Sequence, residues 1–231
     1  MASALTSKEL FWQQALETTS KFEPGSAIVV QGKTLTDNST NFQKQMFSSC
    51  NLADRLAEEF FSNPPKKILD LGAGMGANTL PMAASGAHVT AIDSSQELLT
   101  VFAKNSKGVC PVTNLTLIKG DITTMESYGG PFNLVVAVDI LPYLPSAQLQ
   151  STIEKIHQSL EDRGIFIGTI FTTDKNPVAQ ELMEKLGSHF YKGENFVEQL
   201  LTYSGFTPLE IEEREEGGFR FKAQKLSSEK K

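Results

Sequence analysis

Short apolar blocks run through the middle of the chain, each ending on a carboxylate or a turn residue, and their order predicts alternating strands and helices. Lys67-Ile68-Leu69 leads into Asp70-Leu71-Gly72-Ala73-Gly74-Met75-Gly76, and Ala87-His88-Val89-Thr90-Ala91-Ile92 ends at Asp93. Leu115 to Ile118 runs on into Lys119-Gly120-Asp121-Ile122, and Phe132 to Leu144 is nearly all apolar, as a strand covered on both faces requires. A helix follows over Ala147 to Leu160, then a turn at Glu161-Asp162-Arg163-Gly164 and a strand from Ile165 to Phe171. Pro208 to Glu213 and Phe219 to Ala223 flank Glu216-Gly217-Gly218 and read as a hairpin.

Helical spacing dominates before this alternating region. Thr6 and Glu9 form a capping box, and Leu5, Trp12 and Leu16 share a face, so an amphipathic helix is expected near the start. A polar, turn-rich stretch from Glu23 to Asn41 precedes a second helix around Phe42 to Phe61, with Leu52, Leu56 and Phe60 in register and Asn63-Pro64-Pro65 ending it. The expected organisation is therefore a helical extension over 1–64, an α/β core over 65–226 and a frayed tail at 227–231.

The glycine-rich turn after the first core strand carries the strongest chemical signal. Gly72, Gly74 and Gly76 let the backbone turn tightly and approach a ligand that a Cβ would push away, and a following helix would present N–H groups there. Such amides suit a diphosphate, and Gly72, Gly74 and Ala77 also satisfy the dinucleotide spacing. Asp70 points elsewhere, because a carboxylate at this place suits a ligand with a positive charge at its centre. Asp93, followed by Ser94, lies at the offset of about 20 residues where such folds contact a ribose, whichever cofactor is bound.

The run Asp70-x-Gly72-x-Gly74-x-Gly76 resembles the first motif of the class I S-adenosylmethionine-dependent methyltransferases at every fixed position. Gly120-Asp121-Ile122 is similar to that family's adenine motif, in which an Asp side chain and the next backbone amide meet the base as acceptor and donor. Phe132 to Leu144 corresponds to the family's fourth strand. This resemblance implies a Rossmann-like, seven-stranded, mostly parallel sheet with helices on both faces and a C-terminal antiparallel hairpin. It implies S-adenosyl-L-methionine as cofactor, held by Asp70, Gly72, Ala73, Gly74, Gly76, Asp93, Ser94, Asp121, Ile122 and Asp139. The expected reaction is methyl transfer to an O, N, S or C nucleophile of a small molecule, in the manner of small stand-alone enzymes of metabolite or xenobiotic type, including the tellurite-resistance group.

No family motif supplies a catalytic residue. Asp139, Tyr143, His189 and Tyr191 are candidates from their chemistry and place in the chain, and Asp139 has two readings, facing the transfer cavity or capping the turn into Pro142. The Asn/Asp-Pro-Pro-aromatic signature of amino-group methyltransferases on DNA bases or glutamine is absent, Pro142-Tyr143 standing in that region. Two regions are left for acceptor selection. One is the N-terminal extension, as a lid or as packing; the other is Phe171 to Tyr203, where Phe171, His189, Phe190, Tyr191 and Phe196 either wall a pocket or pack a helix on the sheet. A protein methyltransferase, a silent cofactor-binding module and a dinucleotide-dependent oxidoreductase remain as alternatives.

Composition narrows the partners. A chain of 231 residues with 40% hydrophobic content can bury a substantial core, and a net charge of −6 without any basic stripe argues against nucleic acid or an anionic membrane. Without a signal-peptide core or a membrane-length apolar run, a cytoplasmic location is expected. Cys50 and Cys110, with His88, His157 and His189, form no metal-ligand or nucleophile spacing, so no metal is expected and the thiols are read as reduced. Nothing in the sequence indicates an oligomeric state.

Overall fold

The structure, a computed structural model, describes residues 28–30, 33–35, 66–76, 78–84, 86–107, 110–144, 146–170, 195–214 and 218–227. Its strands are β1 (Ile28–Val30), β2 (Lys33–Leu35), β3 (Lys67–Leu71), β4 (His88–Asp93), β5 (Leu115–Lys119), β6 (Phe132–Ala137), β7 (Leu160–Ile170), β8 (Phe206–Glu213) and β9 (Phe219–Lys225). Its α-helices are α1 (Leu80–Ala84), α2 (Gln96–Asn105), α3 (Ser146–Ser159) and α4 (Phe196–Tyr203), with 3-10 turns at Val112–Asn114 and Leu141–Tyr143.

Strands β3 to β9 form one seven-stranded sheet in the order β5-β4-β3-β6-β7-β9-β8, parallel except at β9, which runs antiparallel to both β7 and β8. The expected Rossmann-like architecture and terminal hairpin are therefore present. Because β9 opposes both neighbours, β8 points the same way as the parallel strands, and its end lies on the same edge as theirs. From β3 the chain steps outward to β4 and β5, then returns to β6 on the other side, so the order reverses between β3 and β6. Ligands of open α/β sheets bind outside the carboxyl ends of the strands at such a reversal.

Alternation along the central strands divides the core into two layers. Ile68, Leu134, Val136 and Val138 pack with Leu80, Met82 and Phe102 of α1 and α2, while Leu69, Leu71, Val135 and Ala137 pack with Leu149, Ile153 and Ile156 of α3 and Val197 and Leu201 of α4. Helices thus cover both faces. α2 begins where the sequence provides a cap: Ser95 Oγ accepts from the Leu98 N–H at 3.2 Å, and Leu98, Leu99 and Phe102 turn inward.

Three boundaries differ from the sequence reading. The turn expected at Glu161 to Gly164 lies inside β7 as a bulge, because Leu160 pairs with Phe132 and Ile165 with Leu134, leaving four residues opposite Asn133. Asn133 Nδ2 donates to Glu161 Oε1 at 2.6 Å across the bulge, and Arg163 takes a left-handed φ of 62° within it. The polar stretch from Glu23 to Asn41 contains the antiparallel pair β1 and β2, where Ile28-Val29-Val30 supplies β-branched residues that outweigh their polar surroundings. The apolar run after Ala137 leaves the sheet instead of extending the strand, its chain turning at Asp139 (φ 54°) into the 3-10 turn. The proposed N-terminal helices, Trp12, Leu52, Leu56 and Phe60 lie outside the described residues, as does the tail beyond residue 227. Among the described residues no helix is long and apolar enough to cross a membrane.

Candidate functional site

The carboxyl edge of the sheet gathers the glycine turn after β3, Asp93 at the end of β4, Asp121 and Ile122 after β5, and Asp139 after β6. The order of the strands brings these residues to one side of the molecule from 70 positions of sequence. Each of the three glycines has its own reason to be glycine. All three have positive φ, but a Cβ on Gly72 would come within 2.7 Å of the Ile140 side chain and one on Gly76 would overlap the Phe102 ring, whereas at Gly74 it would meet nothing within 4 Å among the described residues. Gly72 and Gly76 are packing glycines. Of the three, Gly74 is the one with space beside it among the described residues, a cradle that a side chain would fill.

The amides of Gly72, Ala73, Gly74 and Gly76 are engaged within the protein. Gly72 and Ala73 donate to Ile92 O at 2.9 and 3.2 Å, Gly76 donates to Ala73 O at 2.9 Å, and Gly74 donates to Asp93 Oδ2 at 2.9 Å. α1 begins at Leu80, beyond the turn, and the Leu80 N–H takes Gly76 O at 2.9 Å. Beside Gly74 the turn sets the Asp93 carboxylate.

Asp93 is the brace of that surface. Its Oδ2 takes Gly74 and its Oδ1 takes the Ser95 N–H at 2.8 Å, which fixes the carboxylate beside the open face of Gly74. Ser94, next in the chain, is exposed. Asp70 lies deeper than the sequence reading implied, only 1% exposed, with Thr79 Oγ1 donating to its Oδ2 at 2.5 Å. Burial pushes its carboxyl up to about 7; the Thr79 bond opposes this and the charge of Asp93 adds to it. An acid so placed is poised to lose its proton when a cation arrives nearby.

On the β5 side, Asp121 organises a tight turn. Its Oδ1 accepts from Thr123 N at 2.9 Å and Thr123 Oγ1 at 2.7 Å, and its carbonyl takes the N–H groups of Thr124 and Met125, both at 3.1 Å. Ile122 is buried at the base of this turn, and its N–H has no acceptor among the described residues. An acceptor side chain and a neighbouring backbone donor therefore stand adjacent, the pairing that an adenine edge requires.

At the opposite end of the edge the structure adds two residues that the sequence reading missed. Thr169, near the end of β7, donates from Oγ1 to Asp139 Oδ1 at 3.0 Å and accepts the Asp139 N–H at 2.7 Å. Arg214, just past β8, donates from Nη1 to the same Oδ1 at 2.5 Å. Asp139 thus ties three strand ends together rather than capping the turn, where Tyr143 N–H takes Ile140 O at 3.1 Å. Thr169 had a legible signal as the polar residue near the end of an apolar strand; Arg214 was hidden in a run of glutamates. Tyr143 is partly buried in its 3-10 turn. His189 and Tyr191 lie outside the described residues, so the structure does not bring them to the edge or away from it.

The remaining polar candidates are structural. His157 packs edge-on against Phe206 with ring centroids 5.1 Å apart, Cys110 lines the second core layer, and His88 is exposed. No cluster of three or more His, Cys, Asp or Glu among the described residues could hold a metal ion.

The strand order, with its reversal between β3 and β6 and the antiparallel terminal hairpin, is a Rossmann-like fold of methyltransferase type. Comparison with known proteins agrees. Residues 68–164 match the family model described as a methyltransferase domain. Carboxy-S-adenosyl-L-methionine synthase of Pseudoalteromonas translucida is 27% identical over 165 residues, 69% of this chain and 63% of that protein. An uncharacterized methyltransferase of Synechocystis sp. is 33% identical over 109 residues, 47% of this chain and 49% of that one. The chain therefore spans less than two thirds of the length of these two relatives. Magnesium protoporphyrin IX methyltransferase from Synechocystis PCC 6803, solved with bound S-adenosylmethionine, shares the fold with a TM-score of 0.66 at 17% identity, covering 97% of this chain and 100% of that one. Residues 68–164 are a methyltransferase domain, and these matches support the resemblance to the class I S-adenosylmethionine-dependent methyltransferases.

Proposed function

We propose that this protein transfers the sulfonium methyl group of S-adenosylmethionine to a nucleophile on a small molecule. The observation that carries this reading is the Gly74–Asp93 tie: a turn with room for a ligand at Gly74 among the described residues, braced at 2.9 Å by a carboxylate, with the amides of Gly72, Ala73 and Gly76 engaged within the protein. Such a surface suits ribose hydroxyls and a cationic centre better than a diphosphate, which disfavours the dinucleotide reading. The residues fit the cofactor as follows. Asp93 would accept from the ribose hydroxyls, Gly74 would let the backbone lie against the ligand, Asp121 and Ile122 would meet the adenine, and Asp70 would supply negative charge beneath the turn.

When bound, the cofactor supplies an activated methyl group and a neutral thioether leaving group, so the chain has little covalent work to do. Its contribution is alignment of the acceptor and exclusion of water. The Asp139–Thr169–Arg214 assembly sits beyond β6 and β7, across the reversal point from the Asp121 turn, and is our candidate for the acceptor side. Support for a small acceptor is the acidic surface without a basic stripe and the likeness in fold to an enzyme named for a porphyrin substrate.

The likeness to a protein named carboxy-S-adenosyl-L-methionine synthase favours a second reading, in which the cofactor itself is modified rather than demethylated. Product analysis separates the two. Incubation with methyl-labelled S-adenosylmethionine and a metabolite panel should release S-adenosylhomocysteine and move label to an acceptor. A carboxylated cofactor with no S-adenosylhomocysteine would establish the second reading; label transfer to protein would indicate a protein acceptor. Tight binding with no product of any kind would indicate a silent module.

A further inference from the structure

Lys155 does something unusual for a lysine on the side of a helix. From α3 its ammonium reaches the turn that follows β5 and donates to three backbone carbonyls, Ile122 O at 2.8 Å, Met125 O at 3.0 Å and Thr123 O at 3.2 Å. An ammonium has three donors, and here all three are used on one turn. Tyr128 joins it: the ring is buried, 5.2 Å from the ammonium, and its hydroxyl donates to the same Ile122 O at 2.6 Å. A solvated lysine would keep its head in water. This one spends its donors on backbone carbonyls of a single turn, one of them shared with the Tyr128 hydroxyl.

The consequence runs through one peptide group. Ile122 O belongs to the peptide whose N–H is that of Thr123, and this N–H donates to Asp121 Oδ1 at 2.9 Å. Two donors on the oxygen, one of them charged, polarise the peptide and strengthen the bond made by its N–H. The Thr123 hydroxyl adds a second bond to the same carboxylate oxygen at 2.7 Å. Lys155 and Tyr128 therefore hold the frame on which the Asp121 carboxylate and the Ile122 N–H are mounted, although both bind the far side of the turn.

From this geometry we infer that Lys155 and Tyr128 are positioning residues for base recognition, setting how strictly the site demands an adenine amino group. The inference rests on the assignment of Asp121 and Ile122 to the adenine edge. It makes the helix after β6, which bears no cofactor contact in our reading, a determinant of cofactor selectivity.

The test uses the full chain and two probes, S-adenosylhomocysteine and its analogue with hydrogen in place of the exocyclic amine, titrated by calorimetry. Wild type should prefer the adenine ligand about 10-fold or more, the scale of one hydrogen bond to a charged group. Lys155→Met should cut that preference to about 3-fold or less while changing affinity for the amine-lacking analogue by no more than about 2-fold. Tyr128→Phe, which removes one donor and keeps the packing, should lower the preference by an intermediate amount, and it carries the test alone if Lys155→Met does not fold. Equal weakening of both ligands, or unchanged preference in both folded variants, overturns the inference. Asp121→Ala, which removes the acceptor, serves as the reference. If it abolishes the preference while Lys155→Met and Tyr128→Phe do not, only the positioning role fails; if Asp121→Ala itself leaves the preference intact, the adenine assignment fails and takes the inference with it.

Discussion

Asp70→Asn should separate the electrostatic role of the buried carboxyl from its packing. The side chain is enclosed beneath the glycine turn, with burial as the main cause that holds its carboxyl up near 7, against an ordinary value of 3.8. A rise of roughly three units corresponds to about 4 kcal/mol. Its sign is set by proton counting: between about 4 and 7 the folded state keeps the proton and the unfolded state does not, so stability falls with rising pH. This contribution is complete below about pH 4 and is lost as the pH climbs through 7. Asparagine keeps the size and the bond with Thr79 but cannot ionise. In urea denaturation of the ligand-free protein, the stability of the variant relative to wild type should grow by about 4 kcal/mol from pH 4 to pH 8, other carboxylates cancelling in the difference. A cation bound nearby would favour the ionised form, so wild-type affinity for S-adenosylmethionine should also rise through neutral pH and that of the variant should not. Stability curves that stay parallel over the whole range would show that Asp70 titrates alike in both states, and the argument from burial would be wrong.

The other expectations concern the turn and the opposite end of the edge. Asp93→Ala removes the acceptor for the Gly74 and Ser95 N–H groups together with that for the ribose; affinity for S-adenosylhomocysteine should fall by about 2 to 4 kcal/mol by calorimetry, and an unchanged constant would take Asp93 out of the site. Gly74→Val and Gly76→Ala should part company. The first should abolish binding with only about 1 to 2 kcal/mol of backbone strain, while the second, overlapping Phe102, should lower stability by about 2 to 4 kcal/mol, so equal loss of stability in thermal melts would contradict the contrast. Arg214→Met should raise the acceptor KM by about 10-fold or more with little change in S-adenosylhomocysteine affinity, while loss of this partly exposed ion pair costs about 1 kcal/mol; weakening of the cofactor instead would move the residue to the other half of the site.

The strand ends that form the proposed cofactor half of the site were legible because each part is local. Asp70 and the three glycines sit within seven residues, Asp93 closes its own strand, and Asp121 precedes Ile122, so strand ends read from apolar periodicity were enough to align them. The sheet followed from the same periodicity with the family resemblance, and only the boundaries slipped. β7 took up the expected turn because Asn133 and Glu161 bridge a bulge there, a contact 28 positions apart that no local rule reveals. The engagement of the Gly72, Ala73 and Gly74 amides was out of reach for a related reason. Glycine spacing announces a backbone free to approach a ligand, but whether the N–H groups remain available depends on Ile92 O and Asp93, which arrive from the neighbouring strand.

The proposed acceptor half is built differently, and this would explain why the class of reaction was readable when the acceptor was not. Asp139 meets Thr169 across 30 positions and Arg214 across 75, so the charge pattern beyond β6 exists only once β7 and the antiparallel hairpin have docked. Neither partner is marked by a motif. A cofactor common to many enzymes can be held by a short segment that tolerates little change, whereas an acceptor is selected by whatever side chains the far strands deliver to the same edge. On our proposal, exchanges at Thr169 or Arg214 should alter acceptor use without disturbing Gly74 or Asp93. The hairpin has a second part in this arrangement: β9 lies between β7 and β8, so reversing its direction is what turns the end of β8, and with it Arg214, back toward the carboxyl edge. A parallel strand in that place would have left β8 facing the other way and Asp139 without its arginine.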